Sequence, residues 1–167
     1  MEGIDGFFGR TELLVGSEAM ARIKGARVIV FGTGGVGSWC VEALVRTGIG
    51  HITLVDFDRV CESNVNRQLP ATRSTIGQLK VEAIAARMRD INPDAEITVR
   101  CEMYDASTAD TFNLRDYDYV IDAIDSLDCK AMLIRRACEA GPHTRLYSSM
   151  GAALKVDPSR ISVAEFW

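Results

Sequence analysis

Four glycines fall within six residues, Gly32-Thr33-Gly34-Gly35-Val36-Gly37, directly after the apolar run Arg27-Val28-Ile29-Val30-Phe31. Without a Cβ, such residues let the backbone turn tightly and bring N–H groups against an anion. The first turn of a following helix adds its own free N–H groups. The G-x-G-x-x-G spacing of Gly32, Gly34 and Gly37 is weakly specific alone, but a strand before it and an apolar-periodic segment after it mark a nucleotide-binding βαβ unit. Asp56, in Asp56-Phe57-Asp58, lies about 20 positions further on, where nicotinamide enzymes hold a ribose, so a dehydrogenase is one reading at this point. Three further features weigh against it: Asn64-Val65-Asn66-Arg67-Gln68, then Lys80, then Asp122-Ala123-Ile124-Asp125-Ser126. Two cationic side chains and a carboxylate suit a triphosphate with a metal better than a hydride donor, which needs no phosphate clamp.

The elements that must position these residues can be read from periodicity. Residues 11–24 carry Leu13, Leu14, Ala19, Met20 and Ile23 on a helical period. Strands are expected at Arg27–Phe31, His51–Val55, Glu96–Val99, Tyr117–Ile121 and Arg145–Tyr147. Helices are expected over Val36–Arg46, stopping at Gly48, over 78–91, ending at Asn92-Pro93, and from Ser126 to near Gly141-Pro142. Strands alternating with helices predict an α/β, doubly wound, mostly parallel sheet, a Rossmann-like domain with an N-terminal helix. The glycines, Asp56, the Asn64–Gln68 stretch, Lys80 and Asp125 then all lie at the carboxyl ends of strands or in the connections leaving them, where such sheets bind ligands. The polar stretch from Asp56 to Thr75 is too long for a tight connection and reads as functional or mobile. Ile161–Trp167 reads as a strand ending without a polar tail, which predicts a chain cut at its C-terminus.

With 167 residues, one domain is expected. Hydrophobic residues at 47% and charged residues at 25% place it among ordinary globular proteins. A net charge of -4 gives no global attraction to nucleic acid, so any RNA contact rests on a local patch. No apolar run approaches a membrane span, and Met1–Asp5 lacks a signal-peptide pattern. The five cysteines, Cys40, Cys61, Cys101, Cys129 and Cys138, include no C-x-x-C pair. An odd count without metal spacing points to a reducing compartment, here the cytoplasm. Cys61 is expected at the surface and the other four in or near the core. Both histidines, His51 and His143, are isolated and make poor general bases.

Taken in order, the glycine loop, Asp56-Phe57-Asp58, Asn64–Gln68, Lys80 and Asp122–Ser126 resemble the ThiF/MoeB/HesA group, the bacterial relatives of ubiquitin-activating enzymes. The resemblance covers almost the whole chain. Gly9-Arg10-Thr11-Glu12-Leu13-Leu14, Arg46-Thr47-Gly48-Ile49-Gly50 and Tyr119–Ser126 look most like its tRNA threonylcarbamoyladenosine dehydratase branch. What this implies is an ATP-binding adenylating domain over 1–167, acting with magnesium on tRNA as a homodimer. The alternative inside the group is adenylation of the C-terminal glycine of a ubiquitin-like sulfur carrier, with a sulfur-carrier or cysteine-desulfurase protein as partner.

The resemblance also implies roles. Gly32, Gly34, Gly35 and Gly37 approach phosphate, and Asp56 holds the ribose hydroxyls. Asn64, Arg67 and Lys80 surround the phosphates, and Asp125 binds magnesium. Asp58 and Asp122 are weaker candidates, suited to positioning backbone. Arg10 matches an arginine that reaches the partner subunit's nucleotide. Plainer readings stand beside these: a tight turn without ligand, a turn aspartate at Asp56, a solvated Lys80, a turn-forming Asn64, a helix cap at Asp125 or Ser126, and a surface Arg10.

Overall fold

Alternate residues of strand β1 (Arg27–Phe31) face two different cores. Val28 and Val30 join one, Ile29 and Phe31 the other, and none of the four is more than 1% exposed. A strand buried on both faces needs helices above and below it, and parallel pairing supplies them through its crossovers. The computed structural model describes residues 6–151 and 157–165. Strands β1, β2 (His51–Val55), β3 (Glu96–Arg100), β4 (Tyr119–Asp122) and β5 (Arg145–Ser148) form one parallel sheet in the order β3-β2-β1-β4-β5. Helices α3 (Gly37–Thr47) and α4 (Lys80–Ile91) pack on the first face through Val41, Val45, Val81, Ile84 and Met88. Helix α5 (Leu127–Glu139) packs on the second through Cys129, Leu133 and Ala137, beside Phe112 and Leu114. The chain therefore winds outward from β1 in both directions, and the order reverses between β1 and β4. That reversal opens a crevice at the carboxyl edge of the sheet.

The expected α/β doubly wound sheet is the observed one, and Gly48 ends α3 in the left-handed conformation at φ 108°. Several local readings need correction. The single helix over 11–24 is two, α1 (Gly9–Val15) and α2 (Ser17–Gly25), broken at Gly16 with φ 84°. Leu13 and Leu14 stay exposed, so of that apolar series only Met20 is fully buried. Strand β4 starts two residues late, because the Tyr117 N–H still closes a turn onto the Leu114 carbonyl. The long connection is not loose: Val60 and Gln78 pair across it, and Gly77 donates back to Val60. Residues 161–165 form no strand, and Ile161 and Val163 lie exposed; Phe166 and Trp167 lie outside the described residues. Cys101 and Cys138 are exposed rather than packed, whereas Cys129 is buried and Cys61 exposed as expected.

Candidate functional site

Gly32 follows β1 with φ 88°, and a Cβ there would meet the Ala123 carbonyl at 2.6 Å. A Cβ on Gly37 would lie 1.8 Å from the Gly32 carbonyl. Both glycines are thus fixed by the protein's own packing. Gly34 and Gly35 differ. Neither has a positive φ, and a Cβ would sit at ordinary contact distances, 3.7 Å from Gln68 Nε2 and 3.6 Å from Arg67 Cγ. The loop then enters α3, where the Ser38 N–H reaches the Gly34 carbonyl at 3.1 Å and that of Cys40 reaches Val36 at the same distance.

Asp56, buried at the end of β2, pins this loop from below. Its Oδ2 accepts the Thr33 N–H at 2.7 Å and the Thr33 hydroxyl at 2.9 Å, and its Oδ1 accepts the Asp58 N–H at 2.9 Å. The Asn64–Gln68 stretch closes over it from above. Asn64 is buried, accepts the Cys61 N–H on Oδ1 at 3.1 Å, and receives the Arg67 and Gln68 N–H groups on its backbone carbonyl. Trp39 of α3 donates its indole N–H to the Arg67 carbonyl at 3.0 Å, and Leu69 donates to Ser38 Oγ at 3.2 Å. The Arg67 guanidinium remains exposed, resting on the Ser63 carbonyl and Asn66 Oδ1. Buried Gln68 keeps an amide oxygen without a partner among the described residues.

Two lysines enter the same edge in the same manner. Lys80 opens α4, is 5% exposed, and its Nζ lies 2.7 Å from Asp58 Oδ2. Lys130, in the second turn of α5, is 4% exposed with Nζ 2.8 Å from Asp122 Oδ2. A cation near a helix N-terminus is opposed by the helix dipole, and burying it costs hydration. Each is offset by an aspartate, Asp122 at the end of β4 and Asp58 three residues beyond the end of β2. Lys80 is therefore not the solvated residue that its helix position suggests.

Asp125 lies exposed between β4 and α5, with no side-chain partner among the described residues. Ser126 is the N-cap of α5, but neither side chain makes a capping hydrogen bond. Nothing among the described residues groups three His, Cys, Asp or Glu side chains. Asp125 thus offers a carboxylate without a side-chain partner among the described residues, which would suit a hard cation held mainly by phosphate oxygens and water.

The structure brings together the glycines, Asp56, Asp58, Asn64, Arg67, Lys80, Asp122 and Asp125 at one sheet edge. It does not bring Arg10 there. Arg10 is exposed on α1, and neighbouring Phe8 lies 3.3 Å from where a Gly48 Cβ would stand, at the far end of α3. An eleven-residue helix separates that end from the glycine loop by about 16 Å. Thr33, Trp39, Lys130 and Ser148 escape a reading of the sequence. Lys130 sits among α5 residues like any solvated lysine, and only its burial distinguishes it.

Helix lengths among the described residues exclude a membrane-crossing helix. Comparison with known proteins places the architecture. The tRNA threonylcarbamoyladenosine dehydratase of Bacillus subtilis is 45% identical over 158 residues, covering 95% of this chain and 61% of that protein. The crystal structure of E. coli tRNA N6-threonylcarbamoyladenosine dehydratase, TcdA, in complex with ATP superposes with a TM-score of 0.90 at 42% identity, covering 95% of this chain and 64% of that one. The molybdopterin-synthase adenylyltransferase of Salmonella typhimurium is 34% identical over 142 residues, 84% of this chain and 54% of that protein. This chain spans about three fifths of the length of the bacterial dehydratases it matches. Since the match to the ThiF family runs over residues 8–159, nearly the full length, the chain belongs to the ThiF family.

Proposed function

We propose that the chain activates a carboxylate by adenylation with ATP, and that the carboxylate is that of the threonylcarbamoyl group on adenosine 37 of tRNA. The observation that carries the reading is the bareness of Gly34 and Gly35. Neither backbone angle nor packing demands glycine at either position, so what the absent side chains leave room for lies outside the protein. The Arg67 side chain lies beside Gly35, Lys80 and Asp125 belong to the same sheet edge, and a relative named as a dehydratase and crystallised with ATP carries the same fold.

The loop amides and the amino end of α3 hold the phosphates. Lys80 spends one of its three N–H donors on Asp58 and keeps others for phosphate oxygens. Arg67 needs only to leave two weak surface acceptors. Asp56, already clamped to Thr33, keeps lone pairs on Oδ1 for a ribose hydroxyl. A carboxylate oxygen of the substrate bonds to the α-phosphorus while the bond to the bridging oxygen breaks, giving an acyl-adenylate and pyrophosphate. Charge grows on the departing oxygens, and the two cations are aimed at it. A magnesium ion beside Asp125 would neutralise phosphate charge further. The substrate's own carbamoyl group then attacks the activated carbonyl, closing a ring and expelling AMP. That step is intramolecular and calls for no protein nucleophile.

Arg10 stands far from its own chain's glycine loop, which favours service to the site of a second copy, as an arginine finger across a homodimer. The reading places the reaction where tRNA is found, in the cytoplasm. Pyrophosphate exchange into ATP tests the assignment: exchange stimulated by tRNA carrying the threonylcarbamoyl group supports it. Exchange stimulated only by a ubiquitin-like carrier protein would instead support the second reading, which the Salmonella adenylyltransferase favours. Binding of NAD in place of ATP would move the chain to the oxidoreductases.

A further inference from the structure

Asp122 is fully buried at the end of β4, and its carboxylate is the hub of three hydrogen bonds. Oδ2 accepts from Lys130 Nζ at 2.8 Å and from the Ser148 hydroxyl at 2.6 Å, while Oδ1 accepts the Ile124 N–H at 3.0 Å. Lys130 Nζ also donates to the Ser149 carbonyl at 3.0 Å, and the Ser149 N–H returns to the Asp122 carbonyl at 2.9 Å. One buried ion pair thus ties together the end of β4, the second turn of α5 and the end of β5. Helix stability does not explain it. A lysine so near a helix N-terminus opposes the dipole, and a buried pair is seldom more stabilising than apolar residues of the same shape.

What the pair does fix is the turn 123–126. The Ile124 N–H is held by Asp122, and the Ala123 N–H donates to the Phe31 carbonyl at 2.9 Å. The Ala123 carbonyl is the atom that Gly32 must accommodate, and the Ala123 methyl would lie 3.2 Å from a Gly37 Cβ. The same turn carries the Asp125 carboxylate. Its backbone therefore both backs the glycine loop and sets where Asp125 stands.

We propose that Lys130, acting through Asp122 and the Ile124 amide, is a positioning residue for the divalent ion that accompanies the nucleotide. The proposal rests on the ATP reading above. Residues that orient a metal ligand from behind are worth about ten- to a hundredfold in metal affinity. Lys130→Met leaves Asp122 buried without its cation, the turn relaxes, and Asp125 loses its setting.

The test is calorimetric titration of ATP into the purified protein across a series of magnesium concentrations, for wild type, Lys130→Met and the milder Ser148→Ala. Folding of each variant is checked by circular dichroism. The expected result is a rise of about tenfold or more in the magnesium concentration giving half-maximal tightening for Lys130→Met. A smaller shift in the same direction is expected for Ser148→Ala, and in both variants the loss of ATP affinity should be larger with magnesium than without it. A folded Lys130→Met protein with wild-type magnesium dependence overturns the proposal, as does a loss of ATP affinity equal with and without magnesium. If Lys130→Met fails to fold, Ser148→Ala decides by the same criterion. A wild-type protein that binds no ATP at all defeats the nucleotide reading and this proposal together.

Discussion

At the scale of single residues, the glycines divide into two kinds, and substitution should separate them. Gly37→Ala drives a methyl into the Gly32 carbonyl and should destabilise the protein by roughly 3 kcal/mol or more, lowering the melting temperature by roughly 10 °C. Gly34→Ala meets only the tip of Gln68 and should melt near the wild-type temperature while losing nucleotide affinity. Equal melting temperatures for the two would remove the distinction on which the phosphate site rests. On the ATP reading, Arg67→Ala should cut turnover by about a hundredfold or more with the fold intact, because it removes a cation proposed to stabilise the departing phosphates. Full activity in that variant would end its assignment. The sequence made these residues visible by type and order, since Gly32–Gly37, Asp56, Arg67, Lys80 and Asp125 needed only the alternation of elements to share an edge. It hid Lys130, whose partner lies eight residues away across a strand end, and it hid that Asp56 already serves Thr33.

Elements are held by charge as well as by apolar packing. Glu42 of α3 accepts from Nε and Nη2 of Arg87 of α4, at 2.7 and 3.1 Å, and from Arg46 of its own helix at 2.8 Å. Arg87 first, and Arg46 after it, hold the Glu42 carboxyl below the ordinary glutamate range. A lowered folded-state value means that the unfolded chain binds its proton first on acidification. The stabilisation is therefore complete above the ordinary glutamate range, begins to fade as pH enters it, and is lost once pH falls through the lowered folded-state value. Thermal melts of wild type and Glu42→Gln should differ at pH 7 and converge in acid; a constant difference would show that the pair contributes nothing through charge. The core beneath β1 behaves oppositely. Tyr104 packs edge-on against Phe31 with a buried hydroxyl that has no partner among the described residues, and burial pushes its ionisation up to about 12. A raised value in an acid means that stability falls as pH climbs from about 10 toward 12. Tyr104→Phe should remove that alkaline loss and gain about 1 kcal/mol at neutrality. Periodicity located every strand to within two residues, because each strand's apolar residues had to serve the two cores. It failed at Gly16, where one glycine's φ divides an apolar series, and at 161–165, where apolar residues lie exposed and form no strand.

Over the described residues the chain forms a Rossmann-like parallel sheet whose carboxyl edge carries the buried Lys80 and Lys130, while Arg10 stands apart from it. If Arg10 serves a second copy, two inactive variants should rescue each other. Mixing Arg10→Ala with Lys80→Ala should restore roughly a quarter of wild-type activity, since half of the dimers are mixed and each mixed dimer has one intact site. No recovery on subunit exchange would return Arg10 to the surface residues. The central claim, that a carboxylate is activated at the α-phosphorus of ATP, can be followed by its oxygen. With the threonylcarbamoyl carboxylate of tRNA labelled with heavy oxygen, ring closure should leave one labelled oxygen in the AMP released. Label in inorganic phosphate, with ADP as the other product, would contradict the account.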